Sequence, residues 1–348
     1  MISDWADLPK ELLDLILSNL YAEDRLTFGL VCRSWNSVAT TSTYCHSPCL
    51  MFYHRREHRW KFFQYNGSSD KDFPQLYNAE IRCSKYGWLL MSRDDGSLFF
   101  FDPFKEQMIR ELPKHDFPYT TICFFNEPTS SNWIVVGISN MFDNKDVIIG
   151  VLKHGDDEWE VNKFTHKSEF ELSFCSPILH CGKLYCLNKK GDVAFFDLIS
   201  EHDDDGGPSL NVYCCCLYPS RLRHKIKQEF LIKLKGQDVL FAVFVAHDER
   251  KVSVYRMYLM ENGVNQWELV EDLGDKALFV SHTASFAVAA LSKTMTNKIY
   301  FTKFHEDSSV YYCLKTQKYH SFNGNFSSNK FYGLKEVDFA TWILPTIS

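Results

Sequence analysis

The sequence has no apolar run long enough to cross a bilayer. Its longest uncharged apolar stretch, Val239 to Ala246, is far shorter than the ~20 residues that a spanning helix needs. The N-terminus is acidic and amphipathic and lacks the basic region of a secretory signal. We therefore expect a protein of the nucleus, the cytoplasm or both, with no membrane partner. In that reducing setting the 12 cysteines are predicted to be free thiols.

A surplus of positive charge is also missing. The 38 Lys and Arg residues are outnumbered by 44 Asp and Glu residues, which gives a formal net charge of -6. Such a chain has no general attraction for phosphate backbones, so nucleic acid is not an expected partner. Hydrophobic residues make up 45% of the chain and aromatic residues 16%, a composition that predicts a large core rich in β-strands.

The motifs of several enzyme classes are absent too. The sequence contains no Gly-x-Ser-x-Gly nucleophile elbow, no His-Glu-x-x-His zinc motif, no P-loop and no dinucleotide fingerprint. The paired carboxylates at Asp156-Asp157 and Asp203 to Asp205 stand in hydrophilic, turn-like segments that indicate solvated loops. We therefore predict a non-catalytic protein without a cofactor.

One segment has the letters of a zinc site. Cys45, Cys49, His54 and His58 follow one another closely, but the second cysteine and first histidine are much nearer than the ~12 residues that separate the ligand pairs of a zinc finger. Cys214 to Cys216 lies in an apolar strand-like run, where adjacent side chains point to opposite faces. We predict no metal site at either place.

The first forty residues have helical periodicity. One helical face is predicted from Leu8 onward, with Pro9 in its first turn, and a second predicted helix runs from Leu26 to Val38. Helices this short would be marginal alone, so we expect them to complete their core against another surface. A partner protein and the following domain of the same chain both remain open on periodicity alone.

The letters of this segment resemble the F-box motif. The matching residues are Trp5-Ala-Asp-Leu-Pro9, Glu11-Leu12-Leu13, Ile16, Leu20, Asp24-Arg25-Leu26 and Val31-Cys32-Arg33-Ser34-Trp35. The resemblance implies an F-box over residues 1–42 that binds the Skp-type linker subunit of a ubiquitin ligase and, through it, a cullin. The contact residues that it implies are Leu8, Pro9, Leu12, Leu13, Ile16, Leu20, Val31, Cys32 and Trp35.

From residue 43 onward the pattern changes to short strand-like runs. Turn signals separate them, among them Asp95-Gly96, Lys190-Gly191 and Asn262-Gly263. Many short strands of even spacing are typical of a sandwich, a barrel or a propeller. The predicted strands cover residues 50–53, 60–65, 87–91, 97–102, 120–125, 133–139, 146–153, 159–164, 177–180, 183–188, 192–197, 211–217, 228–233, 238–247, 251–260, 267–272, 298–304 and 309–314.

A weak internal repeat favours the propeller. The unit from Gly87 to Asp102 is echoed from Gly182 to Asp197 and, more faintly, from Asn297 to Cys313. A blade of four strands takes about 40 to 50 residues. We therefore predict a small all-α F-box followed by a large all-β domain, a β-propeller of six, or alternatively seven, blades.

A second resemblance supports this fold. Trp267 to Val280, Asn297 to Thr302 and Thr341 to Pro345, with Gly87-Trp-Leu-Leu and Asp102-Pro-Phe, are similar to the plant KIB-type domain that commonly follows an F-box. The resemblance implies a plant protein with a propeller over residues 43–348. In it Trp267, Phe279 and Trp342 would be core residues of the blades, and no target is implied.

Together these features predict the substrate receptor of a Skp-cullin-F-box ubiquitin ligase, whose propeller binds an unknown protein target. The basic residues Arg221, Arg223, Lys225 and Lys227 are the predicted target contact, since they would suit an acidic or phosphorylated partner. One alternative is a propeller that sequesters a partner, for example a protein kinase, without degradation. The other is a carbohydrate-processing enzyme at the propeller centre.

Overall fold

The structure, a computed structural model, comprises a short helical segment followed by β-sheets. The predicted boundary between residues 42 and 43 falls on residues outside the described ones, as do the turn at Asn262-Gly263 and the run from Cys214 to Cys216. The described residues are 5–18, 20, 22–41, 47–54, 57–64, 67–140, 146–165, 170–198, 210–213, 226–247, 251–259, 267–305, 308–322, 324, 326–328, 335–336 and 340–345.

The helical segment begins with a 3-10 turn, Trp5–Asp7, and continues as α1 (Lys10–Ser18), α2 (Ala22–Gly29) and α3 (Arg33–Thr41). The first predicted helix is confirmed. The prediction of one helix from Leu26 to Val38 is wrong, because the chain turns between α2 and α3.

Hydrogen bonds explain this break. The Leu30 and Val31 amides donate to carbonyls of the last turn of α2, and the side-chain amide of Asn36 donates to the Gly29 carbonyl at 2.9 Å. These bonds occupy carbonyl groups that would otherwise continue the helix. The helical spacing of apolar residues continues across the turn between α2 and α3, because Phe28 of α2 and Val38 of α3 are buried in the same cluster.

The remaining described residues form strands joined by turns and two short 3-10 segments, Pro74–Leu76 and Lys293–Met295. In chain order the strands are β1 (Cys49–His54), β2 (Arg59–Gln64), β3 (Gly67–Lys71), β4 (Ala79–Lys85), β5 (Trp88–Arg93), β6 (Leu98–Asp102), β7 (Gln107–Leu112), β8 (Thr121–Phe125), β9 (Ile134–Asn140), β10 (Asp146–Lys153), β11 (Glu160–Thr165), β12 (Ile178–His180), β13 (Lys183–Leu187), β14 (Val193–Asp197), β15 (Leu210–Tyr213), β16 (Ile226–Lys233), β17 (Val239–Ala246), β18 (Val252–Tyr258), β19 (Glu268–Val270), β20 (Lys276–Val280), β21 (Ser285–Ala289), β22 (Lys298–His305), β23 (Ser308–Cys313), β24 (Lys318–Ser321), β25 (Ser327–Ser328), β26 (Lys335–Glu336) and β27 (Thr341–Ile343).

Within the described ranges these strands form six sheets, each a blade of a β-propeller. Four blades consist of consecutive strands, β4 to β7, β8 to β11, β12 to β15 and β16 to β19, and the first blade has the order β27-β1-β2-β3. The sixth has the order β21-β20-β22-β23-β24-β25, with β26 beside β22 and a parallel pair of β20 and β22. The six-bladed alternative of the predicted fold is therefore confirmed.

The predicted strands are present wherever the structure describes them, with bounds that differ by one or two residues. For the run 211–217 only β15 is described, and residues 214–217 lie outside the described ranges. Some of the strands that were not predicted are short or polar; β3, for example, has the sequence Gly-Ser-Ser-Asp-Lys. The unpredicted strands are β3, β4, β7, β20, β21, β24, β25, β26 and β27.

The internal repeat corresponds to the central hairpin of a blade. Tyr86 and Gly87 have φ angles of 53° and 77°, and Cys181 and Gly182 have 48° and 76°. Two consecutive residues of positive φ form the type I′ turn that suits the twist of a tight hairpin. Each of these two turns precedes the second strand of its blade. The repeated sequence units therefore correspond to the hairpins β5–β6 and β13–β14, and the fainter third unit corresponds to β22–β23.

The ring is closed by β27. This strand pairs with β1 from the other end of the propeller, with Ile343 opposite Cys49 and Trp342 opposite Leu50. Ile343 is fully buried in the core between the first and second blades. Trp342 is buried in the core between the sixth and first blades, where its ring lies 4.9 Å from that of Phe279. Phe279, Trp342 and Trp267 are all buried, as predicted for core residues of the blades.

We expect Ile343→Ala to destabilise the propeller by about 2–5 kcal/mol, because it leaves a cavity beside the closing strand. The main unfolding transition of the full chain, followed by circular dichroism, should fall by more than about 4 °C. Leu269→Ala removes a half-exposed leucine from β19 and serves as the control, with a change within about 0.5 kcal/mol. Equal shifts in the two variants would contradict the role given to β27.

Candidate functional sites on the helices and the propeller

The helices enclose a small core of their own. Leu13, Leu17, Phe28, Val38 and Ala39 are buried, and Leu8, Ile16, Leu20 and Trp35 are packed against them. The Trp35 ring lies 4.5 Å from that of Phe28, and its indole N–H donates to the Trp5 carbonyl at 2.9 Å. Trp35 therefore ties the 3-10 turn before α1 to α3.

Other apolar side chains of the segment stay exposed. Pro9 and Leu12 lie at the start of α1, and Leu30 and Val31 form the turn between α2 and α3. Leu12 is 47% exposed, Val31 56% and Leu30 82%. Single exposed apolar residues are common on protein surfaces. Here four of them lie in two places on a short helical segment, and we regard them as a candidate contact surface.

The predicted linker contacts divide by burial. Pro9, Leu12 and Val31 are exposed, whereas Leu13 is 1% exposed and belongs to the intramolecular core. The other predicted contacts, Leu8, Ile16, Leu20, Cys32 and Trp35, are half-buried. Sequence reasoning did not include the exposed residues Trp5, Leu15 and Leu30 among the contacts. The position of Leu30, an apolar residue directly after a helix end, was the signal that could have identified it. The contact role of each residue stays a prediction.

One face of the propeller carries the described part of the predicted basic target contact, Lys227. In blades two to five the chain enters at the inner strand, and we call the face at which these strands begin the upper face. Because neighbouring strands of these blades are antiparallel, the turn between second and third strands lies on this face too. Lys227, exposed and second in β16, lies at the upper face. Arg221, Arg223 and Lys225 are outside the described residues.

The upper face carries a cleft of about 260 Å³ between the first and second blades. It is formed by the β1–β2 turn, the β3–β4 connection and the β5–β6 turn. Aromatic rings and three carboxylates meet in it, although they are spread over about forty residues of sequence. The lining residues are Tyr53, His58, Trp60, Asp72, Phe73, Leu76, Tyr77, Asn78, Ala79, Glu80 and Asp94.

Four cysteines of the propeller, Cys83, Cys123, Cys175 and Cys186, are buried. Burial raises the pKa of Cys123 and that of Cys175 to about 12, and it also raises the pKa values of Cys83 and Cys186. These thiols are therefore protonated at neutral pH and are poor nucleophiles. Among the residues that the structure describes, no group of three His, Cys, Asp or Glu side chains could hold a metal ion.

Glu229 is a buried carboxyl of β16, 7% exposed. Burial raises its pKa above the ordinary value of 4.5, while a hydrogen bond with Ser173 and the charge of Lys189 lower it. The net direction is upward. Sequence reasoning missed this group, because a lone Glu in a strand is normally solvated.

The raised pKa of Glu229 fixes the sign of a pH dependence. The folded chain holds this proton more tightly than the unfolded chain, so the contribution of Glu229 to stability decreases as pH rises from about 4.5 through the folded pKa. We expect Glu229→Gln to unfold at a higher temperature than the wild type at pH 7.5, with the difference shrinking towards about pH 4. Thermal unfolding of the full chain across this range measures it. Glu127→Gln, at an exposed position, is the control; a pH-independent difference for Glu229→Gln would contradict the assignment.

No helix among the described residues has the length and apolarity that a membrane crossing requires.

Comparison with solved structures supports no inference. The alignment with the structure of U3-55K covers 85% of this chain and 76% of that chain, with 9% sequence identity and a TM-score of 0.34.

Comparison with known sequences is informative. An F-box/kelch-repeat protein of Arabidopsis thaliana is 29% identical over 332 residues, which cover 91% of this chain and 88% of that protein. An F-box protein of the same plant is 24% identical over 311 residues, which cover 87% and 77%. The F-box-like family model matches residues 5–51. The KIB1-4 beta-propeller model matches residues 62–323. Both resemblances seen in the sequence are thus confirmed, and the chain belongs to the KIB1-4 β-propeller family, with an F-box-like segment ahead of its propeller.

Proposed function

We propose that this protein is the substrate receptor of a Skp-cullin-F-box ubiquitin ligase, acting in the nucleus, the cytoplasm or both. Its helices bind the Skp-type linker subunit and through it a cullin, and its propeller binds the target protein. The observation that carries the proposal is the exposure of Pro9, Leu12, Leu30 and Val31 on helices whose own core is already filled.

The exposed apolar side chains suit an apolar groove on a partner. Burying apolar surface stabilises a complex by about 25 cal/mol for each Å² removed from water. Pro9 has a fixed φ angle and precedes α1 directly, so little backbone freedom is lost there on binding. The half-buried Ile16 and Trp35 pack on the core beneath and hold the helices in position.

The propeller supplies a rigid platform for the target. Its loops meet at the upper face, on a ring whose blades share buried cores. In this proposal the chain performs no chemistry: other subunits transfer ubiquitin, and the receptor holds target lysines within reach.

Truncation of the exposed helix residues tests the linker contact. We expect Leu12→Ala/Val31→Ala to weaken binding of the purified Skp-type linker subunit at least tenfold, because each truncated anchor removes about 1 kcal/mol or more. Isothermal titration calorimetry with the full chain measures this. Leu269→Ala/Val161→Ala removes a similarly exposed leucine and valine from the outer strands β19 and β11 and should leave the affinity unchanged.

Two outcomes would count against the proposal. Unchanged linker affinity in Leu12→Ala/Val31→Ala would remove the docking assignment. An equal loss in the control pair would show that the linker does not depend on these helix residues in particular. The thermal unfolding temperature of each variant is measured alongside, because the four truncated side chains are exposed and should leave it unchanged.

A further inference from the structure

We propose that the cleft between the first and second blades binds a lysine or arginine side chain of the target protein. The inference rests on the proposed receptor function and deepens it, since it names the chemistry by which the upper face recognises a target. It is carried by the aromatic lining of the cleft, by its carboxylates and by its position among three connections of the upper face.

Aromatic rings supply one half of the recognition. Trp60 and Phe73 are buried in the blade core and present part of their surface to the cleft. The Tyr53 ring lies 5.2 Å from that of Trp60, and the Tyr53 hydroxyl is 3.3 Å from Nδ1 of His58. Tyr77, by contrast, is 55% exposed, an unusual position for a large ring. A cation is attracted to the face of such rings by their quadrupole.

Carboxylates supply the other half. Asp72 and Asp94 are exposed lining residues, and within the described part of the chain neither makes an ion pair or a side-chain hydrogen bond. Glu80 meets the Arg82 guanidinium only at 3.8 Å. The cleft therefore gathers three acidic side chains, of which two keep their full capacity for a ligand.

Three described bases near the cleft, Lys61, Lys71 and Arg93, pair with carboxylates that are not among its lining residues. Lys61 binds Glu57 at 2.8 Å. Lys71 binds Glu106 at 3.0 Å, and Arg93 binds Glu111 at 3.0 Å. Asp95, next to Asp94 in sequence, forms an ion pair with Lys114.

This combination selects among ligand classes. An anion would be repelled by the three carboxylates, and an uncharged apolar ligand would desolvate them without a partner. A cation on an aliphatic stem satisfies both surfaces, since the stem packs on the rings and the charge meets the carboxylates. A cleft of about 260 Å³ is smaller than most drug-sized sites, and it suits one long side chain reaching in from a protein docked on the upper face.

The test uses single-residue probes and the full chain, whose affinity for the Skp-type linker subunit is measured separately. Nα-acetyl-arginine methylamide and Nα-acetyl-lysine methylamide carry the cation, and the norleucine counterpart carries the stem alone. Ligand-observed NMR should show saturable binding of the cationic probes with a Kd on the order of 1 mM and none of the norleucine probe. Binding should weaken as salt is raised.

Matched variants locate the binding. Asp72→Asn/Asp94→Asn should raise the Kd at least fivefold, whereas Asp157→Asn/Glu158→Gln, which removes two exposed charges from the β10–β11 turn, should not. Tyr77→Ala should raise the Kd about threefold, and Tyr258→Ala, at another exposed tyrosine, should leave it unchanged.

Three results would overturn the inference: absence of saturable cation binding, equal binding of the norleucine probe, or an equal loss in the Asp157→Asn/Glu158→Gln control. Linker affinity of the same preparations separates the two proposals. Normal linker binding without probe binding removes the cleft and leaves the receptor function. Loss of the linker contact in wild-type protein removes the receptor function whether or not the probe binds.

Discussion

The pairing of β27 with β1 is the contact on which the rest of the propeller depends. Successive side chains of a strand point to opposite faces, so Trp342 enters the core beside the sixth blade while Ile343 enters the core beside the second. The same core holds Trp60 and Phe73. Two rings of the upper-face cleft therefore belong to a core that also includes Ile343 of the closing strand.

Sequence reasoning succeeded where a blade is most regular. The central strands, such as β17 with the letters Val-Leu-Phe-Ala-Val-Phe-Val-Ala, are buried on both faces and read as apolar runs. The outer strand β3 has the polar sequence Gly-Ser-Ser-Asp-Lys, in which Ser69 and Asp70 are exposed. The inner strand β4 contains a register shift between Ile81 and Cys83 that breaks its alternation. A local pattern cannot predict strands whose partners lie across a blade.

The candidate sites show the same limit. Helical spacing predicted which residues share a face, but Leu12 and Leu13 are neighbours in sequence and only the fold shows that one is exposed and the other buried. The cleft was not predictable, because Tyr53 of β1, Tyr77 of the β3–β4 connection and Asp94 of the β5–β6 turn are far apart in sequence. Of the basic contact chosen for its charge, only Lys227 lies among the described residues. The positions of charged residues can be read from the sequence alone. Which distant segments come together in the fold cannot.

Ring closure also implies an order of events during folding. The helical segment is built from contacts between residues close in sequence, and such contacts form in microseconds to milliseconds. The partner of Cys49 is Ile343, and a pairing of such long range forms slowly, because loop closure precedes any gain from the contact. We therefore expect the local contacts of the helices to form before β27 pairs with β1, so that the first blade lacks its inner strand for a time. Until β27 pairs with it, β1 has an exposed edge that can pair with edge strands of other molecules. Pairing of β27 therefore protects the chain against misassembly.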